Sequence, residues 1–336
     1  MNISHILQGR NKYTTVDAFC GMGAMRHGFE STGRFETVYS VEIDPDARNT
    51  YRNNFGMEPE GADIRNVIGA DVPKPVVLFG GFPCPAFSIS GNRLGFGDPS
   101  GQLFFDLMRI AEATHPKAIV LENVKNLVSH DGGRTLKIMI NRLKRLGYKV
   151  VYRVLNACHF GVPQARERIF IVAIRKDIPA VFEFPEPHWD QGCVADILLP
   201  DSETSHLVIR RDDIVLRPEH TFPKSPVDRT VCVGSLGKGG QGYRIYHPLG
   251  QGITLSAEGG GVGARTGLYF VNGKVRRLAP RECARLQGLQ DTFVLPENPV
   301  AAYRQLGNAV AAPLVAEIAQ NLASALDWAL MMPKAA

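Results

Sequence analysis

No two of the six cysteines (Cys20, Cys84, Cys158, Cys193, Cys232, Cys283) form a CxxC pair in this chain of 336 residues. That scatter argues against a disulfide framework and against a zinc site, so no metal is expected. Apolar runs of membrane-spanning length are missing, and the opening MNISHILQGRNKYTT lacks the apolar core of a secretory leader. A soluble, cytoplasmic protein without membrane contact is expected. Internal repeats and low-complexity tails are also missing.

What is present has globular proportions. The chain is 44% hydrophobic and 21% charged, and its length suits two lobes with a sizeable core. The net charge of +5 is unevenly placed. Between Arg210 and Arg285 there are 13 Lys+Arg against 6 Asp+Glu, a surplus of 7, which leaves the rest of the chain at −2. A basic segment beside a near-neutral body is the footprint of a polyanion site, although a solvated face gives the same count.

The first half alternates strand-like and helix-like stretches. Apolar, β-rich runs occur at Thr14–Phe19, Thr37–Ile43, Pro75–Phe79, Ala118–Leu121, Val150–Leu155 and Ile169–Ile174, with helical periodicity at Leu103–Ala113 and Thr135–Leu146. This alternation implies an α/β, doubly wound, Rossmann-like sheet. Past Ala180 prolines crowd 179–200 and Gly234–Gly267 holds 12 glycines in 34 residues, which implies a smaller, loop- and β-rich second lobe. A helical pattern returns over Leu306–Leu330, and its apolar face is expected to pack back on the first lobe. The division expected is therefore 1–190 with 306–336 as one domain, 191–280 as the second, and 281–305 as a connecting hinge.

The first strand runs into Asp17-Ala18-Phe19-Cys20-Gly21-Met22-Gly23. Glycines at a strand-to-helix turn let backbone approach a ligand where helix N–H groups point outward. The third glycine of the dinucleotide fingerprint is missing, since Arg26 stands there, and this disfavours NAD-linked redox. Glu42, 21 residues after Gly21, is placed to accept ribose hydroxyls, while Asp63-Ile64 could hold an adenine amino group and ring face. A generic tight turn with a surface carboxylate is the competing explanation.

In Phe79-Gly80-Gly81-Phe82-Pro83-Cys84-Pro85, a cysteine between two prolines follows an apolar strand. Prolines stiffen the loop and present the thiol, as nucleophilic catalysis requires; the other five cysteines read as small core residues. Glu122-Asn123-Val124 ends the next strand, where a glutamate is costly to bury without a polar partner. Gln164-Ala165-Arg166-Glu167-Arg168 precedes another strand. Each alone could be a surface ion pair. Together they bring a thiol, a carboxyl and an arginine to one edge of one sheet.

These segments, in this order, resemble the motifs of the C5-cytosine DNA methyltransferases over nearly the whole chain. So do Arg277-Leu278-x-Pro280-Arg281-Glu282-Cys283-Ala284-Arg285-Leu286-Gln287-Gly288 and Gln305-Leu306-Gly307-Asn308-Ala309-Val310. Pro85 and Ala24 depart from it, where relatives carry a polar residue and a third glycine. The resemblance implies methyl transfer from S-adenosylmethionine to C5 of a cytosine flipped out of duplex DNA. It implies Cys84, Glu122, Arg166 and Arg168 as the catalytic set. Phe19, Gly21, Gly23, Glu42, Ile43, Asp63, Ile64, Pro83, Leu103 and Asn308 would contact the cofactor.

The second lobe is similar to that of the family's GCGC-recognising members, with a glycine-hinged lid at 88–97 closing from the opposite side. By that resemblance Gln241 fills the gap left by the flipped base, Ser90 approaches from the lid, Arg244 reads guanine and Thr254 holds phosphate. Glu258 stands where an aromatic is the pattern, which bears on the outer base pairs. The partner implied is double-stranded DNA, with a cognate restriction endonuclease acting separately on the same site and the enzyme working as a monomer. The rivals are an RNA cytosine methyltransferase on the same scaffold and a catalytically idle DNA-binding relative.

Overall fold

The computed structural model describes residues 12–60, 63–82, 99–188, 192–237, 239–240, 242–258 and 261–331. The first half builds β1 (Tyr13–Ala18), α1 (Ala24–Ser31), β2 (Phe35–Val41), α2 (Pro45–Phe55), β3 (Val77–Gly81), α3 (Pro99–Thr114), β4 (Ala118–Val124), α4 (Arg134–Arg145), β5 (Tyr148–Asn156) and β6 (Glu167–Arg175). Then come α5 (Asp201–Thr204), β7 (Ile214–Leu216), β8 (Cys232–Leu236), β9 (Arg244–Tyr246), β10 (Leu268–Val271), β11 (Lys274–Arg277), α6 (Pro280–Leu286), α7 (Pro299–Asn308) and α8 (Ala312–Met331). Every strand expected in the first half is present, displaced at its ends by a few residues at most.

The large sheet has the order β2-β1-β3-β4-β6-β5. Strands β1 to β4 are parallel, and β6 runs antiparallel to both β4 and β5. Its central strands are buried on both faces, hence the near-continuous apolar runs in the sequence. Period-2 alternation splits them cleanly. Phe79, Val120, Phe170 and Val172 face the layer that holds α1 and α8, while Leu78, Ile119, Leu121, Ile169 and Ile171 face the layer that holds α3 and α4. Local chemistry ends the helices where needed: Asp44 caps α2 through the Asp46 and Ala47 N–H groups, Pro45 occupies its first turn, and Gly56 closes it in the left-handed region.

The smaller sheet is ordered β11-β10-β9-β8-β7 and is antiparallel except between β9 and β10. Val233, Leu236, Ile245, Leu268 and Val275 form its own small core. Its strands are only three to five residues long, too short to show a clear period-2 pattern. The segment expected to connect the lobes carries α6 and most of α7, with Cys283, Ala284 and Leu286 buried.

The C-terminal helical pattern is not one helix. It breaks at 309–311, and Leu306–Asn308 belong to the end of α7. A continuous helix would set the Pro313 ring against the carbonyl of Ala309; instead Ala309 is extended and Pro313 sits in the first turn of α8, where no N–H is needed. The stretch Pro299–Met331 has the length and apolarity to cross a membrane, but 67% of its most apolar window is buried inside the fold. Its burial partner is α1, and Gly28 makes the approach possible. A Cβ at that position would stand 2.7 Å from Val315 Cβ and 2.8 Å from the Ala312 carbonyl oxygen.

Gly28→Ala should therefore destabilise the protein by about 1–3 kcal/mol through overpacking, despite the better helix propensity of alanine. Chemical denaturation checks this. A midpoint equal to or above that of the parent would mean that the two helices slide apart without cost.

Candidate active site

The carboxyl edge of the large sheet gathers the chemistry. Register pairs Ala18 with Val41 and Gly80, and Gly81 with Glu122. Glu42, Phe19, Gly81 and Glu122 thus stand along one row, with Glu42 and Glu122 three strand spacings apart, or roughly 14 Å.

At the β1 end, Phe19, Gly21 and Gly23 all adopt positive φ. For Phe19 that region is strained, and it lets the chain double back above the sheet. The Gly21 N–H donates to Glu42 Oε2 at 2.8 Å and the Asp44 N–H to Oε1 at 2.8 Å, so Glu42 organises the turn and retains lone pairs for a ligand. Burial pushes its pKa up against these hydrogen bonds. A Cβ on Gly23 would run into the Phe55 ring, whereas one on Gly21 would meet nothing within 4 Å. Ile43, next to Glu42, is 64% exposed. Asp63 caps a 3-10 turn and pairs with Arg65, which holds its carboxyl below the usual range, and Ile64 is buried beneath it. Leu103 is half-buried on α3 against the core, and Asn308 is the exposed last residue of α7.

Asp17, in the motif before the glycine turn, is the unexpected member. It is 1% exposed beneath the glycine turn, and its Oδ2 has no hydrogen-bond partner among the described residues. Burial drives its pKa well above the carboxylate range, with Arg26 opposing. Its only sequence signal was a carboxylate one residue before the end of an apolar strand. Carboxylates that can accept from hydroxyls and amines, an exposed aliphatic face and a glycine turn with open space above it fit a nucleoside bearing an amino acid group.

At the β4 end, Arg168 Nε lies 3.0 Å from Glu122 Oε1. Glu122 is 8% exposed, and burial raises its pKa although Arg168 and then Arg166 pull it down. Gly81 leaves room for it, since a Cβ there would stand 3.0 Å from Glu122 Oε2. Asn123 is buried and donates to the Phe82 carbonyl at 3.2 Å, which anchors the chain one residue before Pro83. Pro83, Cys84 and Ser90 lie outside the described residues, as do Gln241 and Lys238. Among the other cysteines, all free thiols, Cys20, Cys158, Cys193 and Cys283 are buried and Cys232 is half-buried.

Arg166 and Arg168 divide their work. Arg166 is fully buried and donates to three carbonyls: Leu255 at 3.0 Å, Gly307 at 3.0 Å and Ala309 at 2.6 Å. Burial pulls its pKa well below the guanidinium value, with Arg168 adding and Glu122 opposing. Gln164 donates to the Leu286 carbonyl at 2.8 Å and accepts the Leu255 N–H at 3.1 Å, while Gln287 donates to the Leu306 and Ala309 carbonyls. Both glutamines were visible as motif positions, but nothing in the sequence said that they face each other. The Thr254 hydroxyl donates to the Ala165 carbonyl at 2.6 Å, beside this junction. Arg244 stands apart, exposed on β9 in the smaller sheet.

Residues 13–324 match the family of C-5 cytosine-specific DNA methylases. The chain belongs to that family. It is a DNA cytosine-5 methyltransferase, and the family draws its methyl group from S-adenosylmethionine. The type II methyltransferase M.HhaI of Haemophilus parahaemolyticus is 46% identical over 93% of this chain and 95% of its own length. The type II methyltransferase M1.ScrFI of Lactococcus lactis subsp. cremoris is 39% identical over 94% and 79%. In fold, the chain is similar to the S. pombe Dnmt2 methyltransferase (TM-score 0.71, 16% identity, 96% of this chain and 100% of that one). It is also similar to a putative DNA modification methyltransferase encoded within an E. coli prophage (TM-score 0.69, 22% identity, 94% and 100%). Within this methylase the Arg166 junction ties the sheet edge to the start of α8 and to the chain at Leu255.

Arg166→Met would strip its donor from three buried carbonyls, of which only Ala309 keeps another among the described residues, from Gln287, and is expected to cost about 3–5 kcal/mol. Arg168→Met, at a less buried position, should cost clearly less stability. Denaturant titration of the two variants decides the matter; equal losses would refute the division of labour between the arginines.

Proposed function

We propose that the enzyme methylates the inner cytosine of GCGC in duplex DNA, through a covalent adduct to Cys84, as the modification half of a restriction-modification system. The observation that carries this is the pairing of buried Glu122 on β4 with half-buried Arg168 on β6 at 3.0 Å, beside Asn123, which holds the Phe82 carbonyl two residues before Cys84. The 46% identity to M.HhaI, a GCGC-recognising enzyme, supports the target.

C5 of cytosine is a poor nucleophile. Attack of the Cys84 thiolate on C6 makes C5 enamine-like, while Glu122 hydrogen-bonds N3 and the exocyclic amino group to stabilise the developing charge. Arg168 holds O2 and, through its ion pair, the orientation of Glu122. S-adenosylmethionine, when bound, supplies the methyl group as a sulfonium electrophile. Glu42 would accept its ribose hydroxyls, Asp63 and Ile64 would hold the adenine, and Phe19, Gly21, Gly23, Ile43, Pro83, Leu103 and Asn308 would complete its site. Once C5 is methylated, its proton leaves to a base such as water and the Cys84–C6 bond breaks.

Residues 191–280 would form the recognition domain. There Gln241 fills the vacated stack with Ser90 from the lid side, Arg244 reads guanine and Thr254 holds backbone phosphate. The Thr254 hydroxyl already donates to Ala165, so it would meet phosphate only through a rearranged hydroxyl. Residues 1–190 and 306–336 would form the catalytic domain, with 281–305 joining the two. The enzyme would act as a monomer in the cytoplasm, without a stable complex with its endonuclease.

Incubation of unmethylated plasmid with the protein and S-adenosylmethionine, followed by sequencing for 5-methylcytosine, should mark the inner cytosine of GCGC alone. Cys84→Ala should leave no marks, and marks at another tetranucleotide would discard the assignments of Gln241, Arg244 and Thr254.

Glu122 adds a pH signature. Its folded pKa is raised above the ordinary 4.5, so the fold favours the protonated carboxyl. The corresponding stability is complete below about 4.5 and is lost as pH rises through the folded value. The protonated form is also the donor to N3, so turnover should fall over the same rise. Glu122→Gln should flatten this limb at a rate lower by about 10²-fold or more. An unchanged pH profile in that variant would remove Glu122 from the proton path.

A further inference from the structure

The amino edge of the large sheet carries a line of cations that the reaction at the opposite edge does not use. Lys12 immediately precedes β1, Lys117 precedes β4, Lys74 comes three residues before β3, Lys149 lies at the start of β5, and Lys176 follows β6. Because β1, β3, β4 and β5 run one way and β6 runs against them, all five reach the same edge. Backbone bonds knit that edge together. The Lys117 N–H donates to Val76 at 2.9 Å, Arg175 to Lys117 at 2.9 Å, Lys176 to Gly147 at 2.9 Å and Gly147 to Lys144 at 3.1 Å. Lys144 and Arg145 of α4 therefore extend the row.

Lys117 is half-buried and the other six side chains are exposed. Nearby acids are already engaged: Glu112 pairs with Arg142 at 2.9 Å and Asp177 with Arg175 at 2.7 Å. Asp71, whose charge is felt by Tyr39, and the exposed Glu36, opposite Thr14 and without an ion pair among the described residues, lie on the β2 side, so the row is strongest from β1 to β5. That distance is four strand spacings, about 19 Å. A duplex presents one phosphate per roughly 1.7 Å of its axis, so a straight row of cations of this length faces several phosphates.

The duplex being methylated occupies the carboxyl edge, about 20 Å away along the seven residues of β4. With a persistence length of about 500 Å, the same duplex does not fold round to both edges. We propose that the lysine edge is a second DNA-binding surface, which holds the phosphate backbone of a separate duplex without reading its bases. The described residues that build it are lysines and one arginine at strand and helix ends, so its binding is electrostatic and strongly dependent on salt. A methylase held on two segments at once can pass between them without release into solution.

Sedimentation of the full chain with an excess of a short labelled duplex of arbitrary sequence, at about 50 mM salt, tests this. Two duplexes per chain are expected, falling to one near 200 mM as phosphate contacts are screened. Replacing Lys12, Lys74, Lys149 and Lys176 together by Gln should weaken the second duplex by about tenfold or more. It should leave one-duplex binding, thermal melting and methylation rate unchanged. A separate Lys144→Gln, Arg145→Gln variant should weaken it in the same direction. One duplex per chain in the parent, or undiminished second binding in the fourfold variant, would overturn the proposal. Because the probe carries no chosen target sequence, a wrong assignment of GCGC would show only in methylation mapping and not here.

Discussion

The Arg166 guanidinium holds three separate pieces of chain in register. It sits in a dry site and satisfies carbonyls from Leu255, Gly307 and Ala309, and its own desolvation is tolerable only because those acceptors surround it. Glu122 is near enough to oppose the fall in its pKa. The Glu122 carboxyl and the structural cation therefore share one electrostatic neighbourhood. Gln164 and Gln287 add amide bonds to Leu286, Leu255, Leu306 and Ala309, while Arg166 Nε has no partner among the described residues.

A second buried pair fastens the far end of the smaller sheet. Arg276 on β11 and Glu282 on α6 are 2% and 0% exposed and meet through two bonds of 2.8 Å, while Glu282 also accepts the Leu199 and Ala279 N–H groups. Every lone pair that matters has a donor, which is the condition for such a pair to be tolerated. The elements entering and leaving the smaller sheet are thus anchored by a buried carboxylate with four donors, although Arg276 Nε has no partner among the described residues. Strands only three to five residues long bury little apolar surface of their own, so the attachment bears more of the burden of order there.

The edge of the large sheet separates two chemistries by geometry alone. Gly21 leaves open space above the turn, Gly23 lets the chain pass against Phe55, and Gly81 leaves room for the Glu122 carboxyl. Glu42 and Glu122 stand on the same row but in different environments. The first is organised by backbone N–H groups and the second by arginine. Two carboxyls with different partners can accept from a ribose and donate to a base ring without exchanging roles.

The pattern of residues by itself determined the sheet, because fully buried strands announce themselves as apolar runs whatever they pack against. It also singled out candidates for the chemistry, because a proline-flanked thiol, a strand-end glutamate and paired arginines have few other reasons to occur in that order. Other features depended on contacts between residues far apart in the chain. Arg166 and Arg168 look alike two residues apart, and only tertiary packing buried one among carbonyls 89 to 143 positions away and turned the other toward Glu122. The break between α7 and α8 was hidden by an unbroken apolar pattern, since periodicity records which face is buried and not whether the axis continues. Asp17 was one more polar residue beside a glycine turn until its burial was seen. The lysine row was scattered over 165 residues until strand order aligned it on one edge, because sequence position carries no information about which strand ends become neighbours.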